Sequence, residues 1–190
     1  MTTEIIHSIK QFTDLTESEI AEFIDISKIK NLHAKSYFIR EGQVPTEFGF
    51  VLTGLFRYVY ISEGKEFTKV FMPENSFISS YSSMISKIPS HFFIEAIEDS
   101  KVLSISYNNW QKLKLQNPKW NFLLVKMLEK GYSVKEKRER EFLLLDAENR
   151  YRIFLEEFPN LENRVKQHMI ASYLGITPIA LSRIRKKMQT

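Results

Sequence analysis

The sequence contains no cysteine, and this absence removes several kinds of site at once. Disulfide bonds, thiol nucleophiles, cysteinyl iron–sulfur clusters and cysteine-rich zinc sites all need a residue that the chain does not have. No run approaches the roughly eighteen consecutive apolar residues of a membrane span. The segment up to Lys10 also lacks the basic-then-apolar pattern of a secretory signal. We therefore expect a cytoplasmic protein without a membrane partner.

Metal-binding and catalytic patterns are absent as well. No histidine is spaced for metal binding with a second one, so we predict no metal site; the four are His7, His33, His91 and His168. There is no glycine-rich phosphate loop and no activated serine–histidine set, and we interpret the chain as not being an enzyme. The acidic residues of one short stretch are interpreted as charges at strand ends and turns: Glu95, Glu98 and Asp99.

An apolar fraction of 43% with 13% aromatic residues is enough for a folded core. Glycine pairs typical of turns separate short β-branched or aromatic runs, at Glu41-Gly42, Thr53-Gly54 and Glu63-Gly64. Strands are predicted at residues 37–40, 48–53, 55–61, 67–72, 92–97 and 101–105, with 55–61 covered on both faces. The pattern indicates an α+β fold with an N-terminal antiparallel β-roll or jelly roll and flanking helices.

Helices are predicted on both sides of the strands. Thr16 and Glu19 have the spacing of a capping box, which places a helix start at Thr16. A long helix is predicted from Lys119 to Asp146. Its apolar heptad positions are interpreted as a dimer seam on a helix that also packs on its own domain: Trp120, Leu124, Met127 and Val134. A helix buried within one monomer is the alternative.

The net charge of +4 is concentrated at one end of the chain. Residues 161–190 carry +5, which leaves −1 for the rest. The basic residues of this segment are Arg164, Lys166, Arg183, Arg185, Lys186 and Lys187. Charge confined to one end favours a polyanion as the partner of that end. On charge alone, a merely solvated basic tail is the alternative.

Residues 167–188 have the pattern of two short helices joined by a turn. Gly175 ends the first helix, because the residue after a helix end often adopts the left-handed conformation that glycine tolerates. Thr177 can cap the second helix, and Pro178 suits its first position. The inward side of the second helix is then apolar: Leu181, Ile184 and Met188. We predict a C-terminal helix-turn-helix.

The second helix would read double-stranded DNA in the major groove. Arg183 can donate twice to a guanine edge, Ser182 can bond base or phosphate, and Ile179 can contact a thymine methyl group. The predicted DNA-binding residues are Thr177, Pro178, Ile179, Ser182 and Arg183 near the helix start, with Arg185, Lys186 and Lys187 near phosphates. A structural helical hairpin is the alternative.

The sequence resembles the cyclic AMP receptor protein/FNR (Crp/Fnr) family of bacterial regulators over nearly its whole length. The matching segments are Phe38-Ile39-Arg40-Glu41-Gly42, Phe50-Val51-Leu52-Thr53-Gly54, Gly64-Lys65-Glu66, Ser104-Ile105-Ser106-Tyr107 and Ala171 through Arg183. The resemblance implies a cyclic-nucleotide-binding-like sensor domain at residues 1–118, a dimerisation helix at 119–146 and a DNA-binding domain at 147–190. It also implies a homodimer that reads a palindromic site, with RNA polymerase as a further partner.

Two positions differ from the family members that bind cyclic AMP. Those members have a Gly-Glu pair that takes the ribose hydroxyl and an Arg-Ser pair whose arginine neutralises the phosphate. The matching positions here read Ser79-Ser80 and Ser90-His91. Without that arginine we expect no cyclic AMP binding and predict no cofactor. The pocket candidates are Ser79, Ser80, Tyr81, Ser90 and His91; an empty pocket, another effector, a plain serine-rich turn and a haem-ligating histidine are left as alternatives.

The C-terminal end differs from the family pattern too. Family members usually add a two-stranded wing after the recognition helix, whereas the sequence stops at Thr190. We expect some phosphate contacts to be missing while the base-reading residues are unaffected. The recognition helix begins Thr177-Pro178-Ile179 instead of the common Ser-Arg-Glu, so the family's target sequence cannot be transferred. The function predicted is a DNA-binding regulator; the alternative is a ligand- or partner-binding module whose truncated helix-turn-helix does not read DNA.

Overall fold

The computed structural model of the chain describes residues 6–7, 9–10 and 12–188. Its strands are β1 Lys28–Leu32, β2 Tyr37–Ile39, β3 Glu47–Thr53, β4 Phe56–Ser62, β5 Lys65–Met72, β6 Phe77–Ile78, β7 Phe93–Ala96 and β8 Ser100–Ser106. Its helices are α1 Glu17–Asp25, α2 Tyr81–Ser86, α3 Tyr107–Gln116, α4 Lys119–Leu144, α5 Ala147–Glu157, α6 Gln167–Leu174 and α7 Pro178–Met188, with a 3₁₀ turn at Leu161–Asn163.

The strands form two four-stranded sheets with the orders β1-β8-β3-β6 and β2-β7-β4-β5. Strand β3 pairs with β8 in antiparallel register, with Phe50 opposite Leu103. The predicted turns occur, because Gly42, Gly54 and Gly64 all have positive φ angles. This arrangement of two antiparallel sheets is a jelly roll, and the predicted α+β fold with a β-roll is confirmed.

The chain divides by its internal contacts into two units. The first unit contains the chain up to Tyr58 together with Phe71–Lys130. The second unit contains Val59–Val70 and the chain from Gly131 onward. The outer part of the β4–β5 hairpin therefore groups with the C-terminal helices, which the sequence did not predict.

Aromatic side chains fill the core of the first unit. Trp120 is 1% exposed, and its ring centroid lies 5.4 Å from that of Phe23 and 5.6 Å from that of Trp110. Phe48 meets Trp110 edge to face at 4.9 Å. Helix α1 presents Phe23 to this core and starts with the predicted capping box. In that box the Glu19 N–H donates to Thr16 Oγ1, and the Thr16 N–H donates to the Glu19 carboxylate.

Among the elements named above for the described residues, three were not predicted from the sequence: strands β1 and β6 and helix α2. Strand β1 lies at the end of its sheet, and an edge strand needs no apolar alternation to pair, so its Lys28-Ile29-Lys30 pattern gave no signal. Strand β4 was expected to be covered on both faces. This holds for Phe56–Val59 only, since Tyr60–Ser62 are exposed.

The long helix α4 ends at Leu144, close to the predicted end. Its Trp120 and Leu123 are buried, and Leu124 and Met127 pack partly buried against the same core. Among the helices that the structure describes, none is long and apolar enough to cross a membrane.

Candidate nucleic-acid interface and sensor site

Helices α6 and α7 are joined by the turn that the sequence predicts. Gly175 follows α6 with a φ angle of 69°, and its N–H donates to the carbonyl oxygens of Ala171 and Ser172. A Cβ atom at Gly175 would lie 2.7 Å from Cε1 of Phe142, so both the backbone conformation and the space require glycine. Thr177 caps α7 by accepting a 3.1 Å hydrogen bond from the Ala180 N–H through its hydroxyl. The local geometry is that of a helix-turn-helix.

The inward side of α7 is apolar, as its sequence spacing indicates. Leu181 is fully buried, and Ile184 and Met188 are partly buried. Helix α6 contributes Ala171 and Leu174, both buried. The small side chain at Ala171 allows the two helices to cross closely. These contacts fix α7 on its domain and leave its opposite side to solvent.

That opposite side carries most of the predicted DNA-binding residues. Thr177, Pro178, Ile179, Ser182, Arg183, Lys186 and Lys187 are all exposed. Ile179 is 67% exposed, so its apolar side chain is accessible for contact. Arg183 makes no ion pair with any residue that the structure describes. The structure thus places these side chains together on one accessible helix face.

Two of the predicted phosphate-contacting residues have acidic neighbours. Arg185 is partly buried and lies 3.8 Å from the Glu162 carboxylate, which also accepts a 3.0 Å hydrogen bond from the Tyr151 hydroxyl. Lys187 donates a 2.6 Å hydrogen bond to Glu148. Lys187, with a further contribution from Arg152, holds the pKa of Glu148 below its ordinary value. Arg185 and Lys187 therefore take part in ion pairs that stabilise the domain itself.

Two arginines that the sequence reasoning did not select hold the C-terminal end of α6. Arg138 donates to the main-chain carbonyl of Tyr173, and Arg150 donates to those of Leu174 and Leu145. Tyr173 and Leu174 lie in the last turn of α6, and Leu145 directly follows α4, so no amide within either helix can satisfy these carbonyls. Both guanidinium groups also lie over the Phe142 ring, at 4.8 and 4.9 Å from its centroid. The one sequence signal for Arg138 was its place four residues after Val134, where the heptad positions of α4 continue with a charged residue.

The sensor-pocket candidates are held by bonds within the first unit. The Ser79 N–H donates to the Tyr58 hydroxyl oxygen at 2.9 Å, and that hydroxyl donates to the Ser79 carbonyl at 3.2 Å. Ser90 is buried, and its hydroxyl donates to the Phe92 carbonyl at 2.8 Å. Ser80 is also buried, and its hydroxyl has no hydrogen-bond partner among the described residues.

The remaining two candidates are more accessible. Tyr81 is partly buried at the start of α2 and packs against the core, and burial raises the pKa of its hydroxyl. His91 is exposed. The serine-rich segment forms the short helix α2, although the Ser80 side chain at its N-cap position makes no capping bond.

Glu95 was interpreted as a strand-end charge, and this interpretation is wrong. Glu95 lies within strand β7 and accepts a 2.6 Å hydrogen bond from Nε of Arg57 on strand β4. The Arg57 side chain is only 3% exposed. A buried guanidinium needs such a partner, because an unpaired charge in the interior is costly. The missed signal was a basic side chain within a predicted strand whose other residues are all apolar or aromatic.

The residues predicted for the dimer seam lie mainly on the inward face of α4. Trp120 is buried in its own core, so its side chain offers no surface to a second chain. Leu124 and Met127 are partly buried, and Val134 is exposed. Large apolar side chains are exposed on the other face of this helix at Phe122, Val125, Leu128 and Tyr132.

Comparison with known protein families gives a match to the β-roll. Residues 29–117 match the sequence profile described as the cyclic nucleotide-binding domain. They span β1 to α3 and contain both sheets of the jelly roll. Residues 29–117 are therefore similar in sequence to cyclic nucleotide-binding domains. No curated protein matches the chain by sequence alone.

Solved structures share the fold over most of the chain. The c-di-GMP responsive global regulator CLP of Xanthomonas campestris superposes with a TM-score of 0.75 at 16% identity, covering 92% of each chain. FixK2 of Bradyrhizobium japonicum gives 0.77 at 17% identity, covering 86% of this chain and 85% of its own. A CooA mutant of Carboxydothermus hydrogenoformans gives a TM-score of 0.74 at 20% identity, covering 93% of this chain and 85% of its own. The chain therefore shares its fold with these three structures, as the resemblance implied.

Proposed function

We propose that this protein is a DNA-binding transcription regulator of the Crp/Fnr type. The observation that carries the proposal is the exposed face of α7, which places Ile179, Ser182 and Arg183 together beside the exposed Lys186. A forked guanidinium, a hydroxyl and an apolar contact at the start of a recognition helix suit base edges in the major groove. The shared fold with the regulator CLP supports the same role.

We propose further that the protein acts as a homodimer and reads a site with two-fold symmetry. A single short helix contacts few base pairs, and a dimer doubles this number by placing two recognition helices about one DNA turn apart. The exposed side chains Phe122, Val125 and Leu128 of α4 offer an apolar surface to a second copy. In this proposal the dimer seam lies on that outward face, whereas Val134, the one exposed member of the predicted seam, continues the stripe of Trp120 and Met127.

The sensor domain is proposed not to bind cyclic AMP. The positions that match the family's glutamate and arginine are Ser80 and Ser90, and both are buried hydroxyls that cannot neutralise a cyclic phosphate. Arg57 is the buried arginine of the β-roll that could replace the family's arginine, but it is paired with Glu95 on a neighbouring strand. Its charge is therefore compensated inside the roll.

Selection of DNA fragments by the purified protein tests the function directly. Genomic fragments bound at moderate salt are recovered, sequenced and searched for an enriched motif. The proposal expects a motif with two-fold symmetry and half-sites about 10 base pairs apart, centre to centre. Recovery of unselected fragments only, or no recovery at any salt concentration, would contradict it and favour a ligand- or partner-binding module.

A further inference from the structure

The interior of the β-roll contains an aromatic pair between the two segments that hold the ligand in cyclic-AMP-binding relatives. The Tyr58 ring stacks on the Phe92 ring with centroids 5.0 Å apart and planes 17° apart. Both side chains are buried. Phe92 directly follows Ser90-His91, and the Tyr58 hydroxyl is bonded to Ser79 of the other segment. The Tyr58 side chain thus contacts both segments.

The polar contacts of Tyr58 satisfy main-chain groups of the segment that matches the family's Gly-Glu pair. Its hydroxyl accepts from the Ser79 N–H and donates to the Ser79 carbonyl, so both main-chain groups are satisfied without any ligand. Ser90 does not face outward for an anion, because its hydroxyl donates to the Phe92 carbonyl. The segment that a cyclic nucleotide would need is therefore already bonded and covered by an aromatic ring.

Strand β4 continues from Tyr58 directly into the β4–β5 hairpin. Tyr58 is the last β4 residue of the first unit, and from Val59 to Val70 the β4–β5 hairpin belongs with the C-terminal helices. Within that second unit the Thr68 N–H donates to the Ser172 hydroxyl at 2.8 Å. The same hydroxyl donates to the Glu66 carbonyl at 2.9 Å. Ser172 lies in α6, the first helix of the helix-turn-helix, so its hydroxyl bonds two main-chain groups of the edge strand β5.

We infer that Tyr58 is a built-in effector: its phenol group occupies the sensor site permanently, and strand β4 links it directly to the β4–β5 hairpin that binds Ser172 of the helix-turn-helix. This inference rests on the proposed DNA-binding function. It implies that the protein reads DNA without any small molecule. It also implies that removal of the phenol group creates a site for phenol itself, since a vacated apolar cavity with a free main-chain donor can take a ligand of that shape.

The test compares the full-length protein with Tyr58→Ala and Tyr58→Phe, with phenol as the probe. Tyr58→Ala should lower Tm by roughly 5–15 °C, as expected for a large buried side chain. Phenol at ten times its Kd should raise the Tm of that variant by about 3–6 °C. The wild type and Tyr58→Phe should show no such rise, because their rings fill the site. If Tyr58→Ala does not fold, Tyr58→Val is measured in the same way.

A second readout is the affinity for the DNA motif selected by the wild type. Tyr58→Ala should bind this DNA at least tenfold more weakly, and phenol should restore most of the loss. Equal phenol shifts in wild type and variant, or a Tm rise of the wild type with cyclic AMP, would overturn the inference. So would wild-type DNA affinity in the folded Tyr58→Ala protein. The phenol shift needs no DNA, so failure of the wild type to select DNA contradicts the proposed function alone.

Discussion

The Arg138 guanidinium lies 3.6 Å from the centroid of the Tyr173 ring and donates to the main-chain carbonyl of the same residue. Arg138 belongs to the long helix α4, and Tyr173 belongs to the first helix of the helix-turn-helix. Burial lowers the pKa of Arg138 below its ordinary value. The side chain stays charged, because arginine is not deprotonated in proteins. The charge is stabilised by the ring face and by the carbonyl together.

Arg138→Ala should therefore destabilise the protein by about 2 kcal/mol, because it removes a cation–π contact and leaves the Tyr173 carbonyl with one bond fewer. Arg140→Ala is the matched control, since Arg140 is exposed on the same helix and should change stability by less than about 0.5 kcal/mol. Denaturant unfolding measures both free energies. Equal losses in the two variants would mean that the Tyr173 contact contributes nothing specific.

Gly175 should tolerate no other residue without a loss of stability. Its φ angle of 69° costs an alanine about 1–2 kcal/mol, and the added Cβ would contact Phe142. Gly131→Ala should instead stabilise the protein by up to about 1 kcal/mol, because Gly131 lies in α4 with open space around it. Thermal unfolding compares the two. In a Phe142→Leu background the Gly175→Ala cost should fall, and an unchanged cost would show that only the backbone matters.

The turn at Gly175 could be predicted because its signals are local: a glycine, a capping threonine and a proline stand in the order that the geometry requires. The strands with glycine turns were predictable for the same reason. Strand β1 was missed, since an edge strand with alternating lysines has no apolar period. The Arg57–Glu95 pair was missed because its members are far apart in sequence and meet only when β4 and β7 pair in one sheet.

The faces of α4 show why a heptad pattern alone was insufficient. Trp120 and Val125 both read as apolar helix residues, yet the first is buried and the second is 48% exposed. A helix that packs on its own domain and also presents an apolar outer face has two apolar stripes. The period of 3.6 residues identifies each apolar stripe but does not show which partner packs against it.

The outer stripe leads to a prediction on assembly. Val125→Glu together with Leu128→Glu should convert the proposed dimer to monomers, because two buried carboxylates per chain would lie unpaired in the seam. Lys126→Glu is the control, since the next helix residue lies about 100° around the axis. Sedimentation velocity at micromolar concentration reports the mass. A Val125→Glu/Leu128→Glu protein with the wild-type mass would exclude this face as the dimer surface.

Glu19 should make stability depend on acid pH. Its bond from the Thr16 N–H, with smaller contributions from Lys119 and Asn117, lowers the pKa of its carboxyl from 4.5 to about 2. The folded state thus favours the ionised form, so this stabilisation is complete above about pH 4.5 and is lost as pH falls toward 2. Glu19→Gln should make the urea midpoint of unfolding depend less on pH over this range, whereas Glu22→Gln on the same helix should leave that dependence unchanged. Parallel curves for both variants would contradict the assignment.

Arg183 and Lys186 should contribute differently to DNA binding, although both lie exposed on α7. Arg183→Ala should lose about 1–3 kcal/mol of discrimination between the selected motif and a single-base variant, because a bidentate guanine contact specifies sequence. Lys186→Ala should weaken binding to all sequences alike and reduce the slope of log K against log salt by about 0.9 for each phosphate that the lysine neutralises. Fluorescence anisotropy titrations over a salt series give both quantities. If Arg183→Ala kept full discrimination, the base-reading role would pass to another residue on this face, with Ser182 the next to substitute.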